Sequence, residues 1–136
     1  MQQFLAQIAL VVKDYDEAID FYVNKLGFEL VEDTVLSPEK RWVRVKPANA
    51  PSNGCHVLLA KASTTEQSKS IGNQTGGRVF LFLHTDDFDR DFNRLQENGI
   101  TIVRPPQVEP YGKVLVFSDL YGNLWDLIEP TNIRKA

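Results

Sequence analysis

Asp126 is the residue of this 136-residue chain that most needs a chemical explanation. It lies within NLWDLIEP, a stretch of strand length, where strand alternation places it on one face with Leu124 and Ile128. A carboxylate on an otherwise apolar face costs free energy unless a cation, a donor or a ligand compensates it. Asp126 therefore indicates either a functional site or an ion pair, for which Arg44 and Arg78 are the candidate partners.

The surrounding chain contains one pattern of elements twice. LAQIALVV predicts a strand, and KDYDEAIDFYVNKLG after it has apolar residues at helical spacing. Three shorter strand patterns follow, and then GRVFLFLHT and DDFDRDFNRLQENG repeat the strand and the helix before three more strands. The sequence therefore predicts two β-α-β-β-β modules in one α+β domain.

The spacing of the two helices gives the length of the repeat. Asp14 and Asp87, which can begin the helices, are 73 residues apart, whereas the stop glycines Gly27 and Gly99 are 72 apart. One residue has therefore been lost inside the second helix. We expect a single domain over residues 1–136, with modules at 1–62 and 77–130 and a polar linker at 63–76 that could hold a short helical turn. Tyr-Gly-Asn at 121–123 predicts a tight turn with positive φ at Gly and Asn.

Composition excludes several classes of function. The net charge is −3 and the basic residues are dispersed, which argues against nucleic acid as a partner. No apolar run approaches the roughly 20 residues that a membrane helix needs. A single cysteine, Cys55, cannot form an internal disulfide and suits the reducing cytoplasm. We therefore expect a cytoplasmic protein with a small-molecule partner.

The duplicated order, the opening QIALVVKD and the closing DLYGNLWDLIEP together resemble the vicinal oxygen chelate superfamily. This superfamily includes glyoxalase I, extradiol dioxygenases, fosfomycin-resistance enzymes and bleomycin-resistance proteins. The resemblance covers the whole chain. It implies that the two modules form an eight-stranded, half-open, glyoxalase-like cup with the site inside it, and that chains of this length form homodimers.

The resemblance also implies where a metal would be held, because metal-using members take one ligand from the first and last strand of each module. The outer two positions fall on Gln7 and Asp126. The strict repeat places the inner two on the apolar residues Leu58 and Phe80, which would leave a metal absent or substoichiometric.

A shifted register would bring two histidines into the inner positions. The metal ligands would then be Gln7, His56, His84 and Asp126, a set suited to Zn, Ni, Mn or Fe. His84 lies four residues beyond Phe80, which is about 13 Å at ~3.3 Å per residue. A metal shell of about 2 Å cannot bridge that distance, so the strict register is favoured.

Two functions remain open on these residues. In an enzyme, a metal-dependent lyase, isomerase or dioxygenase, Asp126 would be the catalytic base or a ligand. In a metal-free binding protein of the bleomycin-resistance type, the cup would only sequester its ligand. Either would accept a small oxygen-rich or aromatic molecule. The predicted ligand contacts are Gln7, His56, Phe80, His84 and Trp125, although the aromatic residues are more typical of a core than of a ligand site.

Overall fold

The computed structural model describes residues 2–131, which form two compact units that divide between Ile71 and Gly72. The strands are β1 (Gln7–Val12), β2 (Glu29–Val35), β3 (Arg41–Lys46), β4 (His56–Lys61), β5 (Val79–His84), β6 (Ile102–Glu109), β7 (Gly112–Ser118) and β8 (Leu124–Pro130). The helices are α1 (Tyr15–Ile19), which continues as a π-helix (Asp20–Lys25), α2 (Thr65–Lys69) and α3 (Phe88–Glu97). The predicted repeat of β-α-β-β-β is confirmed, and α2 forms the helical turn expected in the linker. None of the helices in residues 2–131 is long and apolar enough to cross a membrane.

The first unit contains one mixed sheet with the strand order β1-β4-β3-β2. Strand β1 runs parallel to β4 with Gln7 beside His56, and the other pairs are antiparallel. Arg44 on β3 lies between Leu58 on β4 and Glu32 on β2. Because side chains alternate along a strand, these five residues project from the same face of the sheet.

The opposite face of the first sheet forms the core of that unit. Its strand residues are fully or almost fully buried, and so are the residues of the helix that follows β1. The strand members are Leu10, Val12, Val43, Val45, Val57 and Leu59, and the helical members are Ala18, Phe21 and Tyr22. Burial of each such aliphatic side chain stabilises the fold by roughly 1.5–3 kcal/mol relative to exposure. This face therefore provides the packing that holds the sheet and the helix together, and the opposite face is not part of that core.

The two module helices begin and end as predicted, but the first contains an unexpected π-helical stretch. Asp14 and Asp87 cap the two N-termini. Each carboxylate accepts a hydrogen bond from the backbone N–H three residues later in the chain, at 2.9 and 3.1 Å. Gly27 and Gly99 follow the last helical turns with φ of 90° and 68°. The Leu26 N–H donates to the carbonyl of the fifth preceding residue at 2.8 Å, so a π turn accommodates the residue by which the two helices differ.

The second unit repeats the sheet with the order β5-β8-β7-β6. Asp126 on β8 lies between Phe82 on β5 and Val116 on β7. Strand β6 is at the edge and its register shifts around Arg104, as the two prolines that follow it predict. The buried residues of the helical side are Phe88, Leu95, Ile100, Leu115, Phe117, Trp125 and Leu127.

Asp119 holds the turn between β7 and β8, a role that the sequence pattern did not reveal. Its Oδ1 accepts from the backbone N–H groups of Tyr121, Gly122 and Asn123 at 2.9–3.0 Å. Gly122 has the expected positive φ of 106°, but Asn123 does not. Asn123 instead donates from its side-chain amide to Asp119 Oδ2 at 2.9 Å, so the prediction for Asn123 was wrong because a side-chain hydrogen bond replaced the backbone conformation.

Candidate functional site

Asp126 projects from the side of the second sheet that faces away from α3. Its register neighbours are Phe82 and Val116, both apolar. The Oδ1 atom is buried and has no hydrogen-bond partner among residues 2–131. A buried polar atom without a partner is costly and uncommon in folded proteins, so this atom is a candidate for contact with a ligand.

The electrostatic surroundings of Asp126 favour its neutral form. Burial raises the pKa of the Asp126 carboxyl above its ordinary value of 3.8, and the charges of Arg104 and His84 only partly oppose this effect. The predicted alternative, an ion pair of Asp126 with Arg44 or Arg78, is wrong, because Asp126 forms no ion pair within residues 2–131. Arg44 pairs with Glu32 in its own sheet, and the nearby arginine whose charge acts on Asp126 is Arg104.

The other predicted residues of the second unit have different surroundings. His84 ends β5 beside Ile128, two residues beyond Phe82, and is exposed. Phe80 is half-buried and lies at a register shift in β5. Trp125 is 3% exposed and stacks on Phe117 with ring centroids 5.9 Å apart, on the face opposite Asp126. This placement assigns Trp125 to the core and argues against its predicted contact with a ligand.

His56 is the centre of a polar group on the first sheet. It is 9% exposed and lies beside half-buried Gln7. Arg44 Nη1 is 2.8 Å from His56 Nδ1. Arg44 Nε donates to Glu32 Oε1 at 3.0 Å, and Nη2 lies within ion-pair distance of the same oxygen, also at 3.0 Å. Glu32 is the register partner of Arg44, and His56 lies two residues along β4 from its other partner, Leu58. Glu32, Arg44 and His56 therefore form one polar row across β2, β3 and β4.

This row determines the protonation of His56. A guanidinium can only donate, so Nδ1 must accept and Nε2 carries the proton. Burial, followed by the charges of Arg44 and Lys46, lowers the pKa of His56, which is consistent with a neutral ring. The Nε2 atom is buried and without a hydrogen-bond partner in the described chain, so His56 presents an unsatisfied N–H donor.

The donor set does not fit a tightly held divalent metal. A metal-bound imidazole normally donates its second N–H to an acceptor, whereas the second nitrogen of His56 accepts from Arg44. No group of three His, Cys, Asp or Glu side chains within residues 2–131 is arranged to hold a metal ion. Of the predicted set, Gln7 and His56 belong to the first unit, and His84 and Asp126 to the second. We therefore derive no metal-dependent step.

Sequence patterns gave little indication of Glu32, Arg44 and Arg104 as site residues. RWVRVK places Trp42, Arg44 and Lys46 on one face by alternation, but the partner of each depends on strand order. The bulge between Leu30 and Glu32 also brings Glu32, in place of Val31, opposite Arg44. The alternating charges of Arg44 and Lys46 were the one feature of the sequence that indicated a polar face on this strand.

Comparisons with known proteins agree with this architecture. Residues 4–127 match the family model described as the Glyoxalase/Bleomycin resistance protein/Dioxygenase superfamily. An uncharacterized protein of Shewanella frigidimarina is 64% identical over 130 residues, covering 95% of each chain. The crystal structure of UcmS2 is 29% identical with a TM-score of 0.81, covering 95% of this chain and 99% of that one.

A second solved structure has a name that bears on function. TnmS3, described as an antibiotic binding protein from Streptomyces sp. CB03234, is 32% identical with a TM-score of 0.76 and covers 96% of this chain and 98% of its own. The predicted fold class, α+β and glyoxalase-like, is confirmed by these likenesses and by the two four-stranded sheets. The chain belongs to the Glyoxalase/Bleomycin resistance protein/Dioxygenase superfamily.

Proposed function

We propose that this protein binds a small oxygen-rich or aromatic molecule and sequesters it without metal chemistry. The observation that carries the proposal is Asp126 Oδ1, a buried oxygen without a partner among the described residues and with apolar neighbours. A binding protein keeps such groups ready for its ligand and accepts their cost in the free state. The likeness to TnmS3, an antibiotic binding protein, supports the same class of function.

Calorimetry tests this proposal directly. Purified protein, dialysed against chelator, is titrated with a panel of oxygen-rich aromatic antibiotics that begins with metal-free bleomycin. We expect one member to bind with a dissociation constant in the micromolar range or below. Asp126→Ala should abolish that binding while the variant remains folded. Absence of binding across the panel, or wild-type affinity in Asp126→Ala, would contradict the proposal.

A second candidate function is enzymatic, and the raised pKa of Asp126 favours it. A carboxyl whose pKa is raised by burial is a stronger base than an ordinary aspartate once it is ionised, and is therefore better suited to accept a proton. A lyase or isomerase of this type would change its ligand, whereas a binding protein would return it. Liquid chromatography with mass spectrometry of the ligand recovered after prolonged incubation separates the two. An unchanged mass argues against a lyase or dioxygenase, and an unchanged retention time argues against an isomerase, so both together support sequestration.

Two further parts of the proposal concern the protein as a whole. We propose that it acts as a homodimer, because exposed apolar side chains such as Val35 and Val108 lie on the edge strands β2 and β6. We also propose a cytoplasmic location, for which the exposed free thiol of Cys55 is the supporting feature.

A further inference from the structure

The row of Glu32, Arg44 and His56 has a property that sequestration alone does not require. Each member orients the next: Glu32 forms a hydrogen bond and an ion pair with Arg44, and Arg44 donates to His56 Nδ1. The row ends in the Nε2–H of His56, which is buried and has no partner in the described chain. Polar rows in proteins are usually completed at both ends, so an incomplete end indicates a missing acceptor.

We infer that His56 Nε2–H donates a hydrogen bond to an uncharged oxygen of a small molecule bound at the first sheet, such as a ketone, quinone or amide carbonyl. This inference rests on the proposed function and names the chemical class of its ligand. Arg44 is a positioning residue, because it acts on the ligand only by fixing the tautomer of His56. Glu32 holds Arg44 in the orientation that this requires.

The local charge selects a neutral oxygen over an anion. Two cations lie near His56, but each is paired: Arg44 with Glu32 at 3.0 Å and Lys46 with Glu29 at 3.1 Å. The two pairs carry no net formal charge, so neither cation is unpaired and available to an anion. A carboxylate would lose its hydration and gain only one hydrogen bond, whereas a carbonyl has much less hydration to lose.

The chain contains two histidines, so nuclear magnetic resonance can report on His56 directly. Protein labelled with ¹⁵N-histidine is measured by two-bond ¹H–¹⁵N correlation at pH 7.5, and His84→Gln assigns the remaining ring to His56. We expect the free protein to show His56 entirely as the Nε2–H tautomer. The Nδ1–H tautomer, or a protonated ring at this pH, would overturn the inference.

The contribution of Arg44 is tested by the same measurement. In Arg44→Met the donor to Nδ1 is lost, and we expect His56 to become a mixture of both tautomers. A merely structural arginine would leave the tautomer unchanged, which would contradict its positioning role. If Arg44→Met does not fold, the tautomer of His56 in the wild-type protein still tests the inference by itself.

Two isosteric probes then test the ligand class. Acetophenone carries a carbonyl oxygen where α-methylstyrene carries a methylene group, and benzoate carries a negative charge. We expect acetophenone to shift the His56 Nε2 resonance in a saturable titration and α-methylstyrene to bind about tenfold more weakly, as loss of one hydrogen bond predicts. Equal binding of these two probes, or tighter binding of benzoate, would overturn the inference.

These outcomes are distinct from those that test the proposed function. An antibiotic that binds His56→Phe as tightly as the wild type would leave sequestration standing and reject the hydrogen bond. A selective acetophenone response without binding of any antibiotic would support the hydrogen bond and reject antibiotics as the ligand.

Discussion

The guanidinium carbon of Arg41 lies 5.1 Å from the centre of the Tyr15 ring, and the Tyr15 hydroxyl accepts from the Arg41 backbone N–H at 3.1 Å. The Arg41 side chain also donates to Asp33 on β2 at 2.6 Å and to Asp16 on α1 at 2.9 Å. One residue at the start of β3 thus connects the first turn of α1 with the edge of the first sheet.

Arg41→Met is therefore expected to lower the free energy of unfolding by about 1–2 kcal/mol, more than the ~0–1 kcal/mol of an isolated surface pair. Urea denaturation at pH 7 measures this change. Arg90→Met is the matched control, because Arg90 pairs with Asp86 and Asp91 but its side chain is 59% exposed, against 23% for Arg41. Equal losses in the two variants would contradict a special role for Arg41.

The lowered pKa of His56 predicts a loss of stability in mild acid. The unfolded imidazole takes up a proton near its ordinary pKa of 6.5, whereas the folded ring remains neutral. The unfolded state therefore binds more protons below this pH, and stability falls as the pH decreases, by at most about 1.4 kcal/mol per pH unit from one group. Urea midpoints between pH 7.5 and 5 should show this slope in the wild type and in His84→Gln, and a flatter slope in His56→Gln.

Asp126 makes the opposite contribution to stability. Its pKa is raised above 3.8, so the stability that its protonation provides is present in acid and is lost as the pH rises through the folded-state pKa. At pH 7 a half-buried carboxylate whose Oδ1 has no hydrogen-bond partner among residues 2–131 gives little support to the fold. Asp126→Ala should consequently change the free energy of unfolding by no more than roughly 1 kcal/mol, while binding is lost. Asp126→Asn should change the free energy of unfolding by a similarly small amount. A loss of about 3–5 kcal/mol would instead indicate a paired core carboxylate.

We expect the purified protein to contain substoichiometric metal. The Nε2–H of His56 cannot coordinate a cation, and Gln7 with Asp126 would offer too few charged ligands. Elemental analysis after dialysis without chelator is the measurement, with His84→Ala as the comparison that should leave the content unchanged. Near one equivalent of Zn, Ni, Mn or Fe per chain, lost on mutation of either histidine, would favour the metal-dependent enzyme instead.

The homodimer is tested by static light scattering at micromolar concentration. The expected mass is twice the chain mass of 15.4 kDa. Val35 and Val108 are 72% and 82% exposed, and contact with a second copy would remove such side chains from water. Lys or Glu at both positions should shift the mass towards the monomer if these edges take part. A monomer mass for the wild type would reject the proposal.

The architecture was predictable because local signals agreed along the whole chain. Strand alternation, capping aspartates such as Asp14 and Asp87, and stop glycines such as Gly27 and Gly99 all gave the same two modules. The π turn was not predictable, because a helix with a π turn and an α-helix that is one residue longer have similar hydrophobic spacing. The offset of 73 and 72 residues contained that information, but it was interpreted as a deletion in the second copy.

The candidate site was less predictable, because it depends on which strands are neighbours. The apolar face around Asp126 follows from alternation alone, and it was predicted. The hydrogen bond from Arg44 to His56 depends on the pairing of β3 with β4, and the ion pair of Arg44 with Glu32 depends on a bulge in β2. Neither the strand order nor the bulge can be recognised from the residue types. Trp125 is a different case, because alternation places it opposite Asp126 and favours a core residue, while its contact with a ligand stays a prediction.

The π-helix also has a consequence for how a duplicated gene tolerates an inserted residue. In a helix of 3.6 residues per turn, one added residue rotates everything after it by about 100°. A widened turn within Asp20–Lys25 takes up the additional residue, and both helices are followed by a glycine with positive φ, Gly27 and Gly99. The strand that follows can then keep its orientation towards its own sheet. The length of this helix could therefore diverge between the copies while the geometry of each sheet was preserved.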